Sequence, residues 1–333
     1  MARFSIKEVA NMAGVSPSAV SIVLNGKKGV SNETRQKIQA IIDKLQYTPN
    51  PNPKRLLYKK TFNIALIVND VLPVDDSFYL ELSKIIQHEC EARDYNLIYT
   101  SLRTVNGVKR LPNVVLAADV DGIICTCDIS RKMNNDLEQL GIPIIFADLK
   151  PSDIELKYVI ADYRATAIMA VEYLIGIGHR NIAYFADCGT GMYSELSFDG
   201  YSSAMKAVGL PINPAWLVTD FSDEESMLIS IKKLLQYEKR PTAFYCCADI
   251  HAINAIRCLK KCNIKVPEDI SVIGVDDIKL SKYVDPALTT IHINREEMGR
   301  VAVMLLLELI NGKQVDNYMV NNTIVVREST KSI

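Results

Sequence analysis

Residues Ile6 to Asn25 read IKEVANMAGVSPSAVSIVLN, and their spacing sets the expectations for the rest of the chain. Ser5 is followed three residues later by Glu8, a capping box in which each side chain satisfies a backbone amide of the other, so a helix starts here. Ile6, Val9, Ala10 and Ala13 then fall on one face, and Gly14 tolerates the positive φ of a sharp turn. Ser16 suits the cap of a second helix and Pro17 its first position, where a missing N–H is no loss. Val20, Val23 and Leu24 form the buried stripe of that helix. Two short helices joined by a Gly-centred turn predict a helix-turn-helix whose second helix is free to enter a major groove.

Working outward, Ser31 caps a third helix in which Ile38, Ile41, Ile42 and Leu45 repeat at helical spacing, enough to close a small core. A three-helix bundle that binds a protein would share this pattern, and charge separates the two readings. Residues 1–60 hold eleven Lys and Arg against three carboxylates, a net of +8, whereas the remaining residues hold 27 against 36, a net of −9. A basic head on an acidic body points to a polyanionic partner for the head.

Residues 47–61, YTPNPNPKRLLYKKT, break the composition with closely spaced prolines and a basic run, and read as a linker. From Phe62 onward short apolar runs (NIALIV, NLIYT, GIICTC, PIIFAD, NIAYFAD, TAFYCCAD, ISVIGVDD) alternate with helix-length amphipathic segments. That alternation predicts parallel sheets covered by helices, with ligands held beyond the carboxyl ends of the strands. Asp162, Asp187, Asp249, Asp276 and Asp277 stand at such ends.

At 333 residues and 48% hydrophobic, the chain has material for two or three folding units. MARFSIKEV is not a signal sequence and no apolar run approaches membrane-spanning length, so a cytoplasmic location is expected. The eight cysteines fit buried reduced thiols better than zinc, because no Cys or His pair supplies matched ligand spacing. No phosphate-binding loop, nucleophile elbow or dinucleotide fingerprint is present, which argues against an enzyme and implies no cofactor.

The segment IKEVANMAGVSPSAVSIVLNGKKGVSNETRQKIQAIIDKLQYTPN resembles the head of the LacI/GalR family of bacterial transcription regulators. The resemblance implies base readout from the positions of Pro17, Ser18 and Ile22. It also implies phosphate contacts from Ser16, Ser21, Asn25 and Tyr47, with Ser31 in the same DNA-contacting set. Ile22 departs from the Arg common among relatives. Arg pairs bidentately with guanine and Ile packs on a thymine methyl, so the half-site should differ there by a contact worth about 1 to 3 kcal/mol. In the linker, Leu56 matches the leucine that wedges into the minor groove from a hinge helix, with Asn50 at its cap. Pro53 stands where relatives usually have Ala and disfavours helical angles at Asn52, so the expectation is a hinge helix that starts late, at Pro53, or is weak, with an ordinary flexible basic linker as the other reading.

GHRNIA (178–183), VPEDISVIGVDD (266–277), PALTT (286–290), Met298-Gly299 and REST (327–330) extend the resemblance over nearly the whole chain. The fold it implies is an all-α helix-turn-helix head joined to an α/β two-lobed, periplasmic-binding-protein-like sensor. The boundaries are 1–46 for the head, 47–61 for the hinge and 62–333 for the sensor. Lobe 1 takes about 62–161 and 291–318, and lobe 2 about 162–288 and 320–333, with crossings near Ala161, Leu288 and Met319. Effector positions of the family map to Asp76, Phe78, Cys127, Asp128, Tyr163, Ser197, Asp249 and Asp276. Ser197 stands where many sugar-binding relatives place Arg, and one hydroxyl replaces a five-donor fork.

The expectation is therefore a sequence-specific DNA-binding regulator, a repressor in sign. It reads an inverted-repeat duplex operator as a homodimer, controlled by a sugar-like small molecule between its lobes. Two other readings stay open: a regulator that needs a co-regulator protein and has no small effector, and an enzyme acting on a sugar or nucleoside.

Overall fold

The computed structural model describes residues 4–24, 26–47, 52–68, 77–150, 156–186 and 192–333. The chain divides into two units, Met1–Thr61 and Phe62–Ile333.

In the first unit, α1 (Ile6–Ala13) opens with the full capping box. The Ser5 amide donates to Glu8 Oε2 at 2.6 Å and the Glu8 amide donates to Ser5 Oγ at 3.3 Å. Gly14 takes φ +64° and closes the helix, and the chain enters α2 (Pro17–Leu24) with Ser16 Oγ accepting from the Ala19 amide at 3.2 Å. Ser31 caps α3 (Asn32–Leu45) by accepting from the Thr34 amide at 3.2 Å. Val9, Ala10 and Ala13 of α1, Val20 and Val23 of α2, and Ile38 and Ile42 of α3 form one core. A further helix, α4 (Asn52–Tyr58), occupies the linker and begins one residue before the expected Pro53. First-turn amides have no intrahelical acceptor, so Pro53 removes no helix hydrogen bond.

The second unit begins with β1 (Asn63–Val68), α5 (Ser77–Glu91), β2 (Asn96–Ser101), the hairpin β3 (Arg103–Val105) and β4 (Val108–Arg110), and the short α6 (Asn113–Leu116). It continues through β5 (Gly122–Cys125), α7 (Arg131–Leu140), β6 (Ile144–Ala147) and β7 (Lys157–Ala161). The chain then runs through α8 (Tyr163–Gly176), β8 (Ile182–Phe185), α9 (Met192–Ala207), β9 (Leu217–Val218), α10 (Glu224–Leu235), β10 (Ala243–Cys246), α11 (Asp249–Lys261), β11 (Ser271–Asp276) and β12 (Thr289–Ile293). It closes with α12 (Arg295–Ile310), β13 (Tyr318–Val320) and β14 (Asn322–Val325).

These elements make two six-stranded sheets, ordered β13-β7-β6-β5-β1-β2 and β14-β12-β11-β10-β8-β9. The first is parallel throughout, and in the second only the edge strand β14 is antiparallel. Helices cover both faces, so β1, β5, β6, β8 and β10 are buried along their whole length and read as continuous apolar runs. Each sheet is the centre of one lobe.

The chain crosses between lobes three times: from β7 to α8 around Asp162, from β12 to α12 around Asn294, and from β13 to β14 around Asn321. The middle crossing corrects the expected position at Leu288. Thr289–Ile293 pairs with β11 as a strand of the second lobe, and only with α12 does the chain return to pack on α5, β5 and β6. Apolar strand residues carry no mark of which sheet they will join, which is why this boundary was misplaced.

Candidate nucleic-acid interface and inter-lobe site

The outward face of the head is built locally. Ser16, Pro17 and Ser18 are exposed at the start of α2, Ser21 and Ile22 are half-buried one turn later, and Ser31 is exposed at the start of α3. Pro17, Ser18, Ser21 and Ile22 line one shallow hollow together with Lys27. Burying Val20 and Val23 against α1 and α3 leaves the other face of α2 outward, as helical periodicity requires. Tyr47 is half-buried against the same core. The hydroxyls of Ser16 and Ser31 already serve as caps, so they offer an approaching phosphate a helix N-terminus as well as an O–H. Asn25 and Asn50 lie outside the described residues. Leu56, on α4, is 80% exposed.

Lys27 was not singled out from the sequence. Its amide donates to the Ile22 carbonyl at 3.0 Å, and its carbonyl accepts from Arg35 Nη2 at 2.5 Å. The segment PSAVSIVL carries no Lys or Arg, so Lys27 is the cation of this hollow.

The inter-lobe site is assembled from distant segments. In the first lobe, Phe78 and Tyr79 stand at the start of α5 with their rings edge to face, 5.2 Å apart. Asp148 follows β6. Its Oδ2 accepts from the Tyr79 hydroxyl at 3.0 Å, and its Oδ1 accepts from the hydroxyl of Tyr163 on α8 of the second lobe. Burial first, and the Asp148 carboxylate second, push the Tyr163 phenol well above its ordinary pKa, so it stays a proton donor. Tyr193 packs edge to face on Tyr163 at 4.4 Å and donates to the Cys247 carbonyl.

A second bridge is Arg295, the first residue of α12, whose side chain is nearly buried. Its Nη1 donates to the Asp276 carbonyl and its Nη2 to the Asp277 carbonyl at 2.9 Å, both in the second lobe. The same guanidinium pairs with Glu81 at 3.1 Å and lies 5.2 Å from the centre of the Phe78 ring, both on α5 of the first lobe. Asp276 is half-buried and has φ +114°, and Asp277 follows at φ +53°. Burial raises the Asp277 carboxyl, but hydrogen bonds from His292 at 3.1 Å and Arg327 at 2.5 Å outweigh it and hold the group below its ordinary value.

Three expected effector contacts are placed otherwise. Asp249 is fully buried, and its carboxylate accepts from Thr290 Oγ1, Ser281 Oγ and the Ile278 amide, so it ties β11, β12 and the following loop together instead of waiting for a ligand hydroxyl. A side chain at Gly274 would collide with this carboxylate, its Cβ meeting Asp249 Oδ1. Burial pushes the Asp249 pKa up to about 7 despite those donors. Ser197 is buried with its hydroxyl 2.9 Å from that of Tyr245, so the single hydroxyl is spent inside the second lobe. Cys127 belongs to the first-lobe core, its carbonyl accepting from Cys125 Sγ at 3.0 Å. Asp128 beside it is exposed. Asp76 lies outside the described residues.

Asp148, Tyr79, Tyr193 and Arg295 are thus residues at or beside the inter-lobe contact that sequence reading passed over. Asp148 ends an apolar strand just as the singled-out aspartates do, so its signal was available. Arg295 carried another: a cation in the first turn of a helix opposes the helix dipole and needs a compensating partner.

A helix-turn-helix head on a two-lobed α/β body whose lobes meet through polar side chains defines a DNA-binding sensor. Residues 5–50 match the model of bacterial regulatory proteins of the lacI family, and residues 171–330 match that of the periplasmic binding protein-like domain. The chain is 31% identical to the ribose operon repressor of Haemophilus influenzae, with 99% of each covered. It therefore belongs to the LacI family and is a DNA-binding transcription regulator, in a family of regulators rather than enzymes. Among solved structures, the transcriptional regulator CelR–cellobiose complex aligns with TM-score 0.72 and 25% identity, over 98% of this chain and 100% of that one. The lac repressor dimer bound to operator and the anti-inducer ONPF has the same fold, with TM-score 0.80 and 23% identity over 99% and 100%.

Proposed function

We propose that this protein is a homodimeric, cytoplasmic repressor whose grip on an inverted-repeat operator is set by a small polyhydroxylated molecule between its lobes. Residues 1–46 read the DNA, 47–61 form the hinge and 62–333 form the sensor. Pro17, Ser18 and Ile22 face the bases. Ser16, Ser21, Asn25, Ser31 and Tyr47 hold phosphates, which set register without reading sequence. Asn50 and Leu56 serve the hinge, where an exposed leucine suits a minor-groove wedge.

The observation that carries the sensor half is the Tyr79–Asp148–Tyr163 chain. It joins the lobes through hydroxyl-to-carboxylate bonds, which the hydroxyls of a sugar can replace. Phe78 supplies an aromatic side chain at the start of α5 and Asp276 an acceptor at the end of β11, and Asp76 and Asp128 are further acceptors proposed for the ligand. The relatives named for a ribose operon and solved with cellobiose favour the same ligand class. The internal use of Ser197 and Asp249 favours a ligand held by fewer charged groups than one clamped by an arginine at position 197.

The test has two stages. The full chain selects its operator from a random duplex pool, and a thermal-shift screen of sugars, nucleosides and amino acids finds the ligand that stabilises the sensor by mass action. Operator affinity is then measured with and without that ligand. A change of about 5- to 150-fold is expected. Unchanged affinity at saturation would discard the effector-controlled reading and favour a co-regulator protein.

A further inference from the structure

The guanidinium of Arg295 is bonded to both lobes at once, and nothing in the helix that carries it calls for a cation there. We infer that Arg295 is a positioning residue for the sensor. It locks the Asp276–Asp277 turn of the second lobe to Phe78 and Glu81 of the first, and so sets both the closure of the lobes and the aim of Asp276. The inference rests on the two-lobed sensor reading and adds a residue outside the expected effector set.

Three features of the geometry support it. First, Asp276 and Asp277 have successive positive φ values, a backbone conformation that L-residues adopt at a cost and keep only when neighbours hold it. The two carbonyls of this turn are the acceptors of the Arg295 fork. Second, the partners in the other lobe are of two independent kinds, a carboxylate at 3.1 Å and an aromatic face at 5.2 Å, so the guanidinium is oriented as well as neutralised. Third, Arg295 is itself 6% exposed, so opening the lobes must either hydrate it or leave it with part of its bonds. Lysine keeps the charge but lacks the planar fork needed to reach two carbonyls and a carboxylate together.

Hydrogen exchange on the full-length protein tests this without an effector, since the Ile278 amide is held by Asp249 Oδ2 at 2.9 Å and reports on the turn. Arg295→Lys is expected to speed exchange in segments 77–91 and 271–281 by 10-fold or more. Glu81→Gln, which removes a first-lobe charge on a partly exposed side chain, is expected to speed exchange in 271–281 of the opposite lobe as well. Wild-type exchange in Arg295→Lys would overturn the role of the fork. An effect of Glu81→Gln confined to its own helix would overturn the bridge. Circular dichroism identifies a variant that has simply unfolded, in which case Glu81→Gln alone decides. A wild-type protein that shows this coupling but whose operator affinity ignores every ligand tried would refute the proposed function and leave the bridge standing.

Discussion

The outward face of α2 and the contact between the lobes both carry polar side chains, yet they are made in opposite ways. On the head, Ser16, Pro17 and Ser18 are exposed, adjacent in sequence, and held by a core of small apolar residues behind them. Between the lobes, Phe78, Asp148, Tyr163 and Arg295 come from four separate segments, and the side chains of Phe78, Tyr163 and Arg295 are nearly buried. A face that reads DNA must stay open to a large partner, so a residue there with no internal role can be changed without disturbing the fold, whereas Ser16 also caps α2. A sensor site must be wrapped by its own protein, so its polar groups need internal partners, and some expected ligand groups prove to be structural.

That contrast can be broken by experiment. The largest effect should come from Asp249→Ala, which strands the Ser281 and Thr290 hydroxyls and the Ile278 amide. A loss of about 3 kcal/mol or more in urea unfolding is expected, and a loss under about 1 kcal/mol would return Asp249 to the ligand-contacting set. Next comes Ser18→Ala, which should weaken operator binding by about 1 to 3 kcal/mol in an anisotropy titration while leaving the melting temperature unchanged. A shift in melting temperature instead would mean that this face is part of the core. Ser5→Ala removes half of the capping box and should cost about 1 kcal/mol, read as a lower unfolding midpoint of the head.

The finest distinction is in pH. Because the folded-state pKa of Asp249 is raised from 3.8 to about 7, the folded protein holds this proton more tightly than the unfolded chain does. Its stabilising contribution is therefore complete below about pH 4 and is lost as pH rises toward 7. Wild type should lose stability relative to Asp249→Asn across that interval, and parallel profiles for the two proteins would contradict the burial of this carboxyl.

The head was legible because its rules are short-ranged: a capping box spans three residues, a Gly turn is one residue, and α2 exposes whatever its stripe does not bury. Lys27 was missed because it belongs to the loop after α2 and reaches the hollow only through the fold of that loop. In the body, strand and helix alternation was readable, and Asp162, Asp249, Asp276 and Asp277 do stand at or just beyond the carboxyl ends of strands. Which of them would face a ligand was not readable, since Asp148 and Asp249 look alike in sequence and differ only in what surrounds them.

What the sequence determined by itself, then, is the order and type of the elements, the charge division between head and body, and the face of α2 that stays outward. All of these follow from periodicity and from bonds between near neighbours. Tertiary structure alone decided that Thr289–Ile293 belongs to the second lobe, that Asp249 and Ser197 are consumed internally, and that Tyr163 and Arg295 bridge the lobes. Each depends on a contact between residues distant in the chain, and the burial and hydrogen-bond partners that set a side chain's role there arise only when the sheets and helices pack.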